Sequence, residues 1–99
     1  MLTADNVDEI MDIASIRKDI ACTEIENIPL DDPDIYDHTF LKYHDYACYM
    51  DAISDLRPLM SAEDAYRLTE KIIRDVQAVA DAHYDRVKES TRREVGEDG

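Results

Sequence analysis

The apolar side chains of this chain fall into three segments, and each segment has the spacing of an α-helix. In the middle segment, Ile35 to Leu56, they recur every four and three residues, which places them on one helix face. We expect this stripe to face the core of the fold from a central helix. It consists of Tyr36, Phe40, Tyr43, Ala47 and Met50. A second stripe on the same helix joins Ile35 and Ile53 with two tyrosines, Tyr46 and Tyr49.

The first and third segments have matching apolar faces. The face of the first segment is wide, because a stripe of Ile13, Ile16 and Ile20 adjoins the main one. Its main stripe consists of Val7, Ile10, Met11, Ala14, Ala21, Ile25 and Ile28. The third segment carries Ala65, Leu68, Ile72, Val76, Val79, His83 and Val87. Three segments of this kind can bury their faces against one another.

The helix ends are marked by capping residues and prolines. Thr3 or Asp5 can cap the first helix, Pro29 and Pro33 separate the first two, and Ser61 can cap the third after Pro58. Short connections make successive helices antiparallel. The sequence thus predicts an all-α, antiparallel three-helix bundle with helices at about 5–28, 33–56 and 62–93. Residues 1–95 form the single predicted domain, and 96–99 a disordered tail.

The third helix is predicted to be the longest, and its last turns, from Asp85, are mostly charged. We expect these turns to project beyond the bundle, where they either fray or meet another chain. Together with the broad apolar faces of the first and third helices, this makes the chain a candidate homodimer.

Charge is the most informative part of the composition. The formal net charge is −13, from 24 acidic and 11 basic side chains. The excess is concentrated in residues 1–55, which hold 14 acidic and three basic side chains. Such a surface repels nucleic acid and anionic membranes, but it can attract a basic protein. Solubility alone is the alternative explanation.

The acidic residues of the first helix form a narrow strip opposite its apolar face. Carboxylates three or four residues apart rise by about 4.5–6 Å along a helix, close to the phosphate spacing of a nucleic-acid strand. We therefore predict that the strip and the following turn bind a partner's basic groove. The predicted contact residues are Asp5, Asp8, Asp12, Asp19, Glu26, Asp31, Asp32, Asp34 and Asp37.

The leading hypothesis is a small non-enzymatic inhibitor that mimics nucleic acid and binds a basic nucleic-acid-handling protein. Anti-CRISPR proteins and the immunity proteins of nuclease toxins often have this size and charge, although no motif here links the chain to either. The alternative is a helical adaptor or dimerisation module that acts through its apolar and tyrosine-rich faces. Raised salt should weaken the first mode of binding far more than the second.

Candidate chemistry is sparse. The outer face of the second helix aligns five polar side chains, in which a His and a Cys four residues apart could share a metal: Asp37, His44, Cys48, Asp51 and Asp55. A metal-dependent hydrolase on His38, His44 and Asp45 is a third hypothesis. The sequence lacks a phosphate-binding glycine loop and a nucleophile elbow. We therefore predict no enzymatic activity, metal or cofactor.

The two cysteines, Cys22 and Cys48, form neither a CxxC pair nor a disulfide framework. The sequence shows no signal peptide and no apolar run long enough to cross a bilayer. We therefore expect a cytoplasmic protein with reduced thiols.

Overall fold

The computed structural model describes the backbone of residues 1–96 and the side chains of residues 1–93. It contains three α-helices, α1 (Ala4–Glu26), α2 (Ile35–Ser54) and α3 (Ala62–Gly96), with a 3₁₀ turn at Arg57–Leu59 and no strand in the described backbone. Each helix packs against the other two. The predicted all-α three-helix bundle is confirmed.

Contacts at the two ends of the bundle establish its up-down-up order. The backbone amide of Leu2 donates to the carbonyl of Leu59 (2.6 Å), which brings the start of α1 to the α2–α3 connection. At the opposite end, the Tyr36 hydroxyl lies 2.6 Å from Oγ1 of Thr91. The helices therefore alternate in direction and form a rod of 58 × 17 × 16 Å.

Local chemistry explains where α1 begins. Thr3 is its N-cap, and its hydroxyl oxygen accepts a hydrogen bond from the Asn6 amide at 3.2 Å. The Asn6 side chain in turn accepts from the Thr3 amide, which completes a capping box with asparagine in the place usually taken by Glu or Gln. Thr3, the first of the two predicted caps, is the residue used.

The predicted helix ends differ from the observed ends by up to three residues. α1 ends at Glu26, two residues before the predicted end, and α2 runs from Ile35 to Ser54 instead of 33–56. Two prolines, Pro29 and Pro33, hold the intervening chain in turns, and Asp34 becomes the N-cap of α2. α3 continues to Gly96, and residues 97–99 of the predicted tail lie outside the described residues.

The buried core extends along all three helices. It comprises Val7, Ala14, Ala21, Ile25, Tyr46, Met50, Ile53, Met60, Leu68 and Val79. Fully burying a side chain of the size of Ile25 or Leu68 stabilises a fold by about 1.5–3 kcal/mol. Ala14 and Ala21 are the small members of the α1 face, so neighbouring backbones can approach closely there. The predicted core faces of α1 and α3 are confirmed at these positions.

The predicted core face of α2 is correct at Met50, which is buried, and at Tyr43, which packs against the core, but wrong at its N-terminal half. Tyr36 and Phe40 are exposed, and the buried residues are Ile35, Thr39, Tyr46, Met50 and Ile53. At about 100° per residue, this buried face is turned by roughly 75° from the predicted one. The second stripe therefore faces the core. Tyr46 is buried there, and Tyr49 is partly buried beside the groove between α1 and α2, so the two tyrosines offer little surface to a partner.

The aromatic residues that were expected in the core instead cover the edge between α2 and α3. The ring of His83 stacks on Tyr43, with centroids 5.4 Å apart, and meets the edge of Phe40 at 6.2 Å. Packing against α3 also extends further than expected, since Ser90 is only 3% exposed and Thr91 contacts Tyr36. The expected projection of α3 from Asp85 is therefore wrong at least as far as Thr91.

None of the helices in the described chain combines the length and the hydropathy that a membrane crossing requires.

Candidate partner-binding surface

Four carboxylates form a single row along the solvent face of α1. Asp5, Asp12, Asp19 and Glu26 are all exposed and follow one another every seven residues. Seven residues fall about 20° short of two full helical turns, so the row drifts only slowly around α1 over its length of roughly 32 Å. We call these four residues the acidic row.

An exposed apolar stripe runs beside the acidic row on the same helix. Ile13, Ile16 and Ile20 are 47%, 59% and 43% exposed, and their spacing of three and four residues places them on one line. Ile16 and Ile20 line a shallow depression of about 310 Å³ with Asp19, Thr23 and Glu24. The outer face of α1 thus offers charge and apolar area together. We call the three residues the isoleucine stripe.

The acidic row is poorly neutralised by the protein itself. Within residues 1–93, Asp19 pairs with Lys18 at 3.3 Å, whereas Asp5, Asp12 and Glu26 make no ion pair. The Asp19 side chain is 73% exposed, so water screens this one pair strongly. Most of the row's charge therefore remains available to another molecule.

Asp8, another predicted contact residue, has a role inside the fold. Its carboxylate accepts a hydrogen bond from the Arg67 guanidinium at 2.6 Å, and Arg67 also donates to Asp64 at 3.1 Å. The hydrogen bond and charge of Asp8 are the main reasons why the pKa of Arg67 is raised. Asp8 therefore links the N-terminal parts of α1 and α3 at the surface, and its carboxylate already has a cationic partner.

The predicted contact residues of the α1–α2 turn also divide into two groups. Asp31, Asp34 and Asp37 are exposed. Asp32 is partly buried, where one oxygen accepts from the Asp34 amide at 2.8 Å and the other lies 2.6 Å from Nδ1 of His38. The backbone hydrogen bond first, and the His38 bond second, lower the pKa of Asp32. Asp32 therefore shapes the turn, while its neighbours extend the acidic surface at this end.

The α1–α2 turn also contains the cluster of side chains that most resembles a metal-binding site in the described part of the chain. Ligand atoms of Asp32, Asp34 and His38 lie within 4.8 Å of one another. Two carboxylates and an imidazole could coordinate a divalent cation. However, Asp32 already hydrogen-bonds both neighbours, and exposed acidic groups of this kind are common without an ion.

The three residues of the hydrolase hypothesis are directed to different surroundings. His38 contacts Asp32 in the turn, His44 stacks on Phe40 with ring centroids 6.0 Å apart, and Asp45 lines a groove between α1 and α2. His44 and Asp45, as adjacent helical residues, point about 100° apart. The fold therefore does not assemble them into one site.

Sequence reasoning missed a polar cluster inside the bundle. Asp75 is 3% exposed and pairs with Lys71 at 2.9 Å, while its second oxygen and the buried Tyr46 hydroxyl have no hydrogen-bond partner among the described residues. Burial first, and the charge of Asp75 second, raise the pKa of Tyr46. Burial likewise raises the pKa of the nearby Cys22 thiol. The i, i+4 spacing of Lys71 and Asp75 was the available signal.

A groove of about 320 Å³ between α1 and α2 was also missed. Two cations border it: Arg17 lies 5.3 Å from the centre of the Tyr49 ring, and Lys42 pairs with Glu24 at 3.3 Å. Since both cations already contact groups of the protein, we interpret the groove as part of the contact between α1 and α2, which these two cations help to hold together.

Comparison of the chain with protein-family models, with curated proteins and with solved structures finds no match. We therefore infer function from the geometry and charge of the α1 surface.

Proposed function

We propose that this chain is a non-enzymatic inhibitor that binds the nucleic-acid groove of a basic protein through the outer face of α1. The observation that carries the proposal is the acidic row: four exposed carboxylates on one rigid helix, three of them without an ion pair in the described part of the chain. Rows of fixed negative charge attract basic grooves and accelerate association with them. The proposed action needs no catalytic group, metal or cofactor, and it takes place in the cytoplasm.

The charge density of α1 suits a groove for one strand better than a groove for a duplex. α1 has 23 residues and is therefore about 34 Å long. One strand of B-DNA carries about ten phosphates over that length. α1 carries seven acidic and two basic side chains, and Arg67 and Lys42 pair with two of the acidic ones. About three net negative charges remain, roughly a third of the charge of a strand. The proposed target therefore binds single strands, or one strand of a duplex.

The isoleucine stripe adds a requirement on the partner. Ile13, Ile16 and Ile20 lie beside the acidic row, so a groove that contacts the row along its length also covers apolar area. Burying such area is worth about 25 cal/mol per Å² and depends little on salt. The expected partner surface is therefore basic with an apolar border.

The test starts with affinity capture from a bacterial lysate, with washes at low and high salt and identification of the retained proteins by mass spectrometry. A captured basic protein is then purified and loaded with a labelled single-stranded oligonucleotide. We expect this chain to displace the oligonucleotide in a dose-dependent and salt-sensitive manner. The proposal fails if the captured protein binds the chain and the oligonucleotide together without competition.

A helical adaptor is the second candidate, and the exposure of the isoleucine stripe favours it. In this case apolar docking dominates, and high salt hardly weakens the complex. A variant with Ile13, Ile16 and Ile20 replaced by Gln distinguishes the two candidates. It should abolish adaptor binding, whereas inhibitor binding should weaken, because the apolar border is lost, but persist with all of its salt dependence.

A further inference from the structure

His44 and Cys48 form a close pair on the outer face of α2. They are one helical turn apart, and Nε2 of His44 lies 3.6 Å from Sγ of Cys48. Both side chains are exposed, and Phe40 stacks on the imidazole with an angle of 14° between the rings. The stacking and the turn of helix hold the two donor atoms in a defined position, accessible from solvent.

The separation of the two atoms matches one edge of a zinc tetrahedron. Zinc binds sulfur at about 2.3 Å and imidazole nitrogen at about 2.0–2.1 Å, and a tetrahedral angle between these bonds places the atoms about 3.5 Å apart. The observed 3.6 Å, a hydrogen-bond contact between the two side chains, therefore already matches the separation that zinc requires. A soft thiolate combined with an imidazole is also a ligand set that zinc prefers to calcium or magnesium.

One chain supplies only half of the ligands that such a site needs. Structural zinc sites have four protein ligands. Among residues 1–93, the group of three or more potential ligands is the turn cluster of Asp32, Asp34 and His38, which does not include this pair. The missing ligands must therefore come from another molecule, and a second copy of this chain offers one more His and one more Cys in the same geometry.

The surroundings of the pair fit a second copy that is held by metal. Phe40 and Leu41, 53% and 54% exposed, lie one turn before the pair on the same outer side of α2 and would be covered by the second copy. The acidic residues Asp37, Asp51 and Asp55 share this face, so two copies repel each other without a cation. The two thiolates cancel the charge of the zinc ion, so the metal does not reduce this repulsion. Its coordinate bonds to both copies have to outweigh the repulsion, which makes the metal a requirement for association.

We infer that His44 and Cys48 are half of a zinc site, and that a second copy of the chain completes it as a Cys₂His₂ centre between two α2 helices. Each thiol releases its proton as its sulfur bonds to zinc, and each imidazole donates the lone pair of Nε2. No electron is transferred. The inference is independent of the partner proposed for α1.

The test uses the full chain, freed of metal with a chelator and kept in a phosphine reductant. We expect added zinc to double the sedimentation mass, with one zinc bound per two chains. Cobalt should give the absorption of a tetrahedral site and a thiolate-to-metal charge-transfer band. Unlike binding to a basic partner, this dimer should become more stable as salt rises, because salt screens the repulsion between two acidic chains.

Matched variants identify the ligands. His44→Gln and Cys48→Ser should each abolish zinc-dependent dimerisation, and both should keep their helical circular dichroism because the side chains are exposed. His38→Gln and Cys22→Ser carry the same chemical changes elsewhere and should dimerise with zinc like the unaltered chain.

Three results would overturn the inference. If added zinc leaves the sedimentation mass of the reduced chain unchanged, and a dimer forms only when the phosphine is omitted, the pairing is an intermolecular disulfide. One zinc per chain without a change in mass means that the second copy is not needed. Zinc binding that survives Cys48→Ser but is lost in His38→Gln assigns the metal to the turn cluster instead.

Discussion

The helices α1 and α3 carry similar numbers of acidic side chains but differ in what surrounds them. α1 has seven acidic and two basic residues, whereas α3 has eight and seven. On α3 the cations lie one turn from carboxylates, as in the pairs Arg67–Asp64, Lys71–Asp75 and Arg92–Glu89. α3 therefore neutralises itself, and α1 does not. Most of the charge of α1 is therefore available for binding, whereas the cations of α3 pair with its own carboxylates and, through Arg67, with Asp8.

The largest expected effect comes from removing charge on α1. The α1 variant changes the acidic row to amides: Asp5→Asn, Asp12→Asn, Asp19→Asn and Glu26→Gln. If each charge contributes about 0.7 kcal/mol to a complementary interface, the four together lower affinity for the captured basic partner by about 100-fold. Isothermal titration calorimetry measures this loss.

The matched control makes the same four-charge change on α3, at exposed positions. It consists of Glu63→Gln, Glu70→Gln, Asp81→Asn and Asp85→Asn. We expect affinity to fall by no more than about threefold, since only long-range attraction is reduced. Equal losses in the two variants would show that net charge alone governs binding, and that α1 has no special role.

The second prediction concerns the stability that is lost when the Lys71–Asp75 ion pair of α3 is broken. Lys71→Met leaves the buried Asp75 carboxylate without its cation, which we expect to lower the free energy of unfolding by about 2–3 kcal/mol. Lys18→Met on α1 removes the partner of the exposed Asp19 and should cost less than about 0.5 kcal/mol. Urea unfolding followed by circular dichroism measures both.

A double variant separates loss of charge pairing from loss of packing. Lys71→Met with Asp75→Leu removes both members, and we expect it to recover most of the lost stability because no uncompensated charge remains buried. If the double variant is as unstable as Lys71→Met, the effect of Lys71 lies in its packing and not in its pairing with Asp75.

The third prediction uses the Asp32 carboxylate in the α1–α2 turn. Its pKa is below the ordinary 3.8 in the folded chain, so it stabilises the fold above that pH and loses this contribution as pH falls through the lower folded value. Asp32→Asn should therefore be less stable than the unaltered chain at neutral pH, and the difference should shrink in acid below about pH 4. Urea unfolding at several pH values measures this difference in the free energy of unfolding.

The neighbouring Asp31 provides the control for this prediction. It is exposed, and Asp31→Asn should leave both stability and its acid dependence almost unchanged. A similar acid dependence in Asp31→Asn and Asp32→Asn would mean that the hydrogen bonds of Asp32 do not set the stability of the turn.

The smallest expected effect is the change in stability of the α1 variant itself. Neutralising the acidic row relieves repulsion, so we expect the unfolding free energy to rise by up to about 0.5 kcal/mol at low salt and to be unchanged at high salt. Thermal unfolding at two salt concentrations measures it. A clear loss of stability would mean that the row supports the fold, in contradiction to its exposure and sparse pairing.

Sequence reasoning succeeded where one physical rule dominated. The prediction of Ser61 as the α3 cap, for example, is confirmed, since its hydroxyl oxygen accepts a hydrogen bond from the Asp64 amide at 3.2 Å. It failed on α2, where two stripes of similar apolar character compete. Tyr46 is buried because α2 turns its second stripe, the one with Ile35 and Ile53, toward both neighbouring helices. Periodicity along one helix cannot reveal this choice.

The candidate surface was predictable only in part. The exposure of the acidic row follows from its position opposite the apolar face of α1. The internal roles of Asp8 and Asp32 depend on Arg67, which is distant in the chain, and on the geometry of a turn. The isoleucine stripe was assigned to a broad apolar face, but packing covered only part of that face.

Three helices, the caps of α1 and α3, the breaks between helices and the excess of negative charge on α1 are predictable from the sequence, because they depend on neighbours along the chain. The buried stripe of α2, the enclosure of Asp75 with Lys71, and the packing of α3 on α2 as far as Thr91 become visible only in the folded bundle. These outcomes depend on how three helices share one core, since each helix rotates to the position in which all three bury their apolar faces together.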